Sequence, residues 1–176
     1  GARFCSRLAS ELPAPGLGAL GVWGGLRYPR PNNATVPIPI LAMHDLSDPT
    51  NPYDGSGASY WMESMPSVFE AWAHFNGCTD HLGPRPAAPA GAPGAVEMEV
   101  WSRCQGRGEV VAVLTNTGSH RWPGDWAVNT VLDFVDHHAS ANASVPWWLS
   151  IGRAHGSAVN LLLCLILAVA AVVGPP

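Results

Sequence analysis

Ile38-Pro39-Ile40-Leu41-Ala42-Met43 runs straight into His44-Asp45-Leu46-Ser47-Asp48-Pro49, and Val110-Val111-Ala112-Val113-Leu114-Thr115 runs into Asn116-Thr117-Gly118-Ser119-His120-Arg121-Trp122-Pro123-Gly124. Each stretch is a short apolar run that breaks into a loop of turn-forming residues, the pattern of a buried strand and the connection after it. Leu17 to Trp23 is a Gly-diluted version of the same thing, and Glu97 to Trp101 reads as a further strand. Between them lie helical patterns. Arg3 to Leu12 places Phe4, Leu8 and Leu12 on one face. Ser67 to Asn76 has Pro66 near its start, Val68, Trp72 and Phe75 at helical spacing, and Gly77 closing it. Ala127 to His138 directs Val128, Val131, Leu132 and Val135 inward. Strands alternating with helices predict an α/β layer architecture with a parallel sheet.

The 176 residues suit one ordinary domain, and 47% hydrophobic residues suffice for a core. Nine arginines, with no lysine, are scattered singly among thirteen acidic residues, which leaves no basic patch and excludes nucleic acid as a partner. The chain opens without Met on a helix-like run, so the front of the domain is expected to be missing.

In an open parallel sheet, functional side chains gather just beyond the C-terminal ends of the strands. Two loops here qualify, one with Asp45 and Asp48 and one with His120. An acid after one strand and a histidine after a later one match the last two members of the α/β-hydrolase order of nucleophile, acid, histidine. No serine stands in a G-x-S-x-G elbow: Ser6, Ser56, Ser119 and Ser157 all fail the pattern. The nucleophile is therefore expected two residues before Gly1, with Gly1 as the elbow's second glycine.

Gly1-Ala2-Arg3-Phe4-Cys5-Ser6-Arg7-Leu8-Ala9-Ser10-Glu11 resembles the helix after the nucleophile in the polyhydroxybutyrate depolymerase and feruloyl esterase family of α/β hydrolases, with Ser10 where that family's R-L-A-C-E has cysteine. Ile38 to His44, Ser47-Asp48-Pro49 and Asn51-Pro52-Tyr53-Asp54-Gly55 resemble its strand, acid loop and P-Y-D-G segment. Ala71-Trp72 and Asn76-Gly77-Cys78 resemble its next helix and cysteine. Gly118 to Gly124 resembles the G-G-H-x-W-P-G block that carries the catalytic histidine. The resemblance covers residues 1–138 and implies the C-terminal part of an α/β hydrolase acting on a polyester, aryl or cell-wall ester, without metal or cofactor. Asp48 would be the acid and His120 the base. Asp45 is the rival acid, because Asp45-Leu46-Ser47 replaces the family's usual Gly-Thr-Ala. The alternative is a non-catalytic remnant serving as a surface binding or structural protein.

Other residues invite blander readings. His44, His74, His81 and His155 have no partner at ligand spacing and are structural, and His137-His138 form a solvated helix end. Trp122 packs beneath the histidine loop or lines an acyl pocket. Trp61 and Trp72 are core residues or an aryl platform. Cys78 and Cys104 flank a Pro/Gly/Ala-rich stretch, Leu82 to Ala95, read as an irregular surface loop, and are the expected disulfide, two free buried thiols being the alternative.

Asn33-Ala34-Thr35 and Asn142-Ala143-Ser144 are glycosylation sequons, which favour a secreted chain. After a spacer over 139–157, residues 158–176 form an apolar tail whose core, Leu161 to Val173, is uninterrupted, with only Gly174, Pro175 and Pro176 beyond it. That run is short for a bilayer span and fits a glycolipid-anchor signal with Asn142 to Ser144 as attachment site; a retained membrane anchor or a buried helix are the alternatives. An extracellular or cell-surface location follows as the expectation.

Overall fold

A computed structural model describes residues 1–12, 17–87, 89–92, 94–139 and 147. The sequon at Asn142, the spacer beyond residue 139 apart from Trp147, and the apolar tail lie outside the described residues. Helix α1 (Ala2–Glu11) is followed by strands β1 (Leu20–Trp23) and β2 (Ile40–Asp45), helix α2 (Met65–Phe75), strands β3 (Asp80–Ala87), β4 (Val96–Ser102) and β5 (Val110–Thr115), and helix α3 (Asp125–Ala139). The strands form one sheet in the order β1-β2-β5-β4-β3.

β1, β2 and β5 are parallel, in register through Trp23↔Met43 and Asp45↔Thr115. The expectation of a parallel sheet fails at β4 and β3, which are antiparallel to their neighbours. The sheet is therefore mixed, with helices on both faces. The connection from β4 to β5 is a short turn, which can join only antiparallel strands.

Leu82 to Ala95 is not wholly irregular either, since β3 occupies its first part. Pro84 and Pro86 belong to a strand because β3 is at the sheet edge, where an N–H facing away from the sheet is dispensable, and the register shifts between Leu82 and Arg85. Cys78, three residues beyond α2, and Cys104 after β4 are bridged, as expected.

Strand alternation divides the core in two. Ile40 and Ala42 face α1 and α2, packing with Cys5, Ala9, Trp61, Val68, Phe69 and Trp72. Leu41 and Met43 face α3, packing with Val111, Val113, Trp126, Val131 and Phe134. α2 starts at an N-cap Ser64, whose hydroxyl accepts from Ser67 N–H, and buries Val68 and Trp72 as its spacing predicts.

α1 presents a face other than the expected one, and α3 meets its expectation only in part, with Val131 buried and Val135 packed against the core. α1 buries Cys5, Ser6, Ala9 and Ser10, while Phe4 is 56% exposed. Its small face sits close to the chain after β1, where Ser6 Oγ accepts from Arg27 N–H and donates to Ala2 O, so the buried hydroxyl is satisfied. In α3 the inward residues are Trp126, Ala127, Thr130, Val131 and Phe134, whereas Leu132 is exposed. Gly21 makes this packing feasible, because a Cβ there would collide with Val131. His138 is not solvated: its Nε2 lies 2.8 Å from Glu109 Oε1 and its side chain is 6% exposed.

Among the described residues no helix is long and apolar enough to cross a membrane.

Candidate active site

Because β1, β2 and β5 are parallel neighbours, their C-terminal ends share one rim of the sheet. Gly24, the Asp45–Asp48 loop and the Asn116–His120 loop meet there. Asp48 and His120 are brought together across 72 positions of sequence: His120 Nδ1 is 2.7 Å from Asp48 Oδ2. The carboxylate side chain is fully buried and the imidazole is 40% exposed. With Nδ1–H donating to the carboxylate, Nε2 is the acceptor nitrogen, able to take a proton from a hydroxyl and hand it on.

Asp48 is held from its other oxygen. Oδ1 accepts from Thr50 N–H at 2.8 Å and Asn51 N–H at 2.9 Å, a turn that aims Oδ2 at the histidine. On the far side, Gly24 has φ +61° and lies so close that a Cβ would stand 3.2 Å from His120 Cε1 and 3.7 Å from Asp48 Oδ2. Trp23 Nε1–H donates to His120 O at 3.0 Å, fixing the histidine's backbone, and Trp122 meets Trp23 edge to face.

Asp45 has a different task. Oδ1 accepts from Ser47 N–H and Gly118 N–H, both at 3.0 Å, and Oδ2 accepts from the Thr115 hydroxyl and from both donors of Thr117. Burial acts to raise its pKa, but the bonds from Thr117, Thr115 and Ser47 outweigh it and lower the carboxyl to about 2. It sutures the acid loop to the histidine loop and is not directed at the imidazole. Asp48, the acid that the resemblance favours, thus faces His120, while Asp45, its rival, lies between the two loops.

Trp61 and Trp72 are fully buried, so neither is an exposed aryl platform. His81 stacks on Trp101 and pairs with Glu99, remote in the sheet from the rim. His44 is buried at the end of β2, and burial pushes its pKa down, opposed by its bond to Asn51 and the charge of Asp48. Among the described residues no group of His, Cys, Asp and Glu could hold a metal ion. An open depression of about 650 Å³ lined by Tyr28, Arg30, Asp54, Met62, Glu63, Ser64 and Ser67 shares no residue with this site.

Sequence reading missed Trp23, Gly24, Asn51 and the two threonines. The one available signal was Gly24-Gly25 directly after a strand, a mark of close backbone approach.

The chain is 28% identical over 141 residues to "Putative esterase NocK" of Nocardia uniformis subsp. tsuyamanensis, a match covering 70% of this chain and 40% of that protein. The chain thus spans less than half the length of this relative. No family model matches the sequence, and no solved structure matches it. The likeness is to part of a protein described as a putative esterase.

Proposed function

We propose that the chain is the acid–histidine portion of a serine carboxylic-ester hydrolase similar to the polyhydroxybutyrate depolymerases and feruloyl esterases. The observation that carries this reading is the 2.7 Å contact between buried Asp48 and half-exposed His120 on the C-terminal rim of the parallel strands. A serine in a segment ahead of Gly1 attacks the ester carbonyl carbon. His120 Nε2 takes the hydroxyl proton and returns it to the leaving alcohol, and Asp48 keeps the imidazole in the Nδ1–H tautomer and stabilises its charged form. Water then cleaves the acyl-serine by the same proton route. The oxyanion is held by the backbone N–H after the serine and by an upstream loop.

The start of α1 is well placed for such a nucleophile. A Cβ on Gly25 would stand 3.0 Å from Ala2 Cβ, and Gly24, one residue earlier, lies against His120. A strand-to-helix turn leading into α1 would therefore open beside the imidazole. The Cys78–Cys104 bridge and the exposed Asn33 in its sequon support an oxidising, extracellular setting, and the apolar tail supports attachment at the cell surface, near a polyester or cell-wall ester.

The test is hydrolysis of a short-chain p-nitrophenyl ester by the full-length protein. His120→Ala should lower kcat by about 10⁴-fold while the fold is kept. Turnover within about tenfold of the wild type rejects His120 as the base, and a full-length protein inert on this ester and on polyester and cell-wall esters favours the non-catalytic alternative.

A further inference from the structure

His44 is the penultimate residue of β2, on the face shared by Ile40 and Ala42, both apolar, and its side chain is fully buried. It is enclosed by aromatic rings, stacked on Trp61 at 5.9 Å between centroids and tilted against Tyr53 at 5.8 Å. A purely packing role would be met by an apolar residue. Its polar contacts point to something more.

His44 Nε2 lies 2.9 Å from Asn51 O. A carbonyl only accepts, so Nε2 carries the hydrogen and the ring is in its Nε2–H form. The same nitrogen is 3.9 Å from Asp48 Oδ2, too far for a hydrogen bond. Nδ1 is buried and, among the described residues, unpartnered, so a proton added there would have nothing to receive it.

Asn51 connects this ring to the rest of the site. Its N–H donates to Asp48 Oδ1, its Nδ2 donates to Gly24 O, and its carbonyl takes the His44 hydrogen. One residue therefore joins the acid, the glycine against His120 and the buried ring. Without a donor at position 44, the Asn51 carbonyl would lose this partner in a buried place, and the turn that aims Asp48 would lose its inner anchor.

We propose that His44 is a positioning residue of this site: its neutral ring anchors the Asp48–Asn51 turn through the Asn51 carbonyl, leaving Asp48 Oδ2 to His120 alone. The proposal rests on the Asp48–His120 reading above and deepens it. A protonated His44 would set a cation 3.9 Å from the oxygen His120 uses and compete for it. The groups that face the ring oppose one another. Asp48 and Asp45 favour the proton, while burial and His120 disfavour it. Tyr53, its hydroxyl pushed up by burial, remains a neutral neighbour, and Arg27 stands 3.3 Å from the centre of the Trp61 ring on which His44 stacks.

The experiment uses the full-length protein with His44→Leu, which removes the donor, and His44→Gln, whose side-chain N–H can replace Nε2–H. Two readouts are taken: the strongly deshielded proton on His120 Nδ1, assigned by its loss in His120→Ala, and kcat and KM on a p-nitrophenyl ester. Folded His44→Leu should lose the proton resonance and about 10²-fold in kcat with KM little changed. His44→Gln should keep both, and keep the resonance to lower pH than the wild type does. A His44→Leu protein with the resonance and kcat intact overturns the proposal, as does a folded His44→Gln that rescues neither. Should His44→Leu not fold, the pH comparison between His44→Gln and wild type decides alone. If the wild type shows the resonance but hydrolyses no ester, the hydrolase reading falls, and loss of the resonance in His44→Leu still supports the positioning role.

Discussion

Asp45 Oδ2 accepts from both the N–H and the hydroxyl of Thr117, each at 2.7 Å, so the loop after β2 is clamped to the loop after β5 by a carboxylate that does not face the histidine. The clamp and the Asp48–His120 contact are separable by mutation, because different side chains make them.

Asp48→Asn should reduce kcat heavily, toward the 10⁴-fold or so typical when the acid of a triad is made an amide, because the amide favours the wrong imidazole tautomer. Stability should change little, since the amide oxygen still accepts from Thr50 and Asn51 N–H. Asp45→Asn should do the reverse, lowering unfolding free energy by about 2 kcal/mol, the scale of hydrogen bonds to a charged group. Steady-state kinetics and urea unfolding on both variants check the ranking.

The pH dependence of stability should have two acid limbs, an upper one from His44 and a lower one to which Asp45 contributes. His44 has a lowered folded pKa, so its contribution is complete above the ordinary value of 6.5 and declines as pH falls below it, when the unfolded chain takes the proton first. Asp45, lowered from 3.8 to about 2, contributes above 3.8 and loses that contribution as pH falls toward 2, roughly 2 kcal/mol in all. Unfolding free energy measured from pH 8 to pH 2 should show both limbs, with the upper one missing in His44→Gln and the lower one reduced in Asp45→Asn, since the Asp54 carboxyl is also lowered by its hydrogen bonds from Ser56.

Gly24→Ala tests the cradle. Its φ of +61° disfavours any side chain, and the new methyl would press on His120 at 3.2 Å. The expected result is a loss of about 1–2 kcal/mol in stability with a fall in kcat of at least about tenfold, since small displacements of a catalytic group are costly. Unchanged kcat would place the imidazole away from Gly24.

The Cys78–Cys104 bridge spans a separation of 26 residues, and in the chain-entropy model a loop of that size is worth about 3–4 kcal/mol. Peptide mapping without reductant should recover the two cysteines in one linked pair, and the double serine variant should unfold at correspondingly lower urea concentration.

What the sequence determined by itself was local. Apolar runs ending in turn residues located β2 and β5, Pro66 and Gly77 bracketed α2, and the loops bearing Asp48 and His120 followed, because strand length, capping and turn chemistry depend on near neighbours. Periodicity did not reveal the buried face of α1 and gave that of α3 only in part, because burial there is set by what the sheet offers: small residues against the chain after β1, and Gly21 beneath Val131. Likewise a run with two prolines became β3 only because topology left it at an edge. At the site, the resemblance of Ser47-Asp48-Pro49 favoured Asp48 over Asp45, but periodicity and spacing could not separate two acids three positions apart at the end of one strand. Tertiary structure alone shows what each carboxylate touches: the threonines of β5 and its loop bind Asp45, while the Asn51 turn aims Asp48 at His120 across the rim, because the threonines and His120 lie some 70 positions away in sequence.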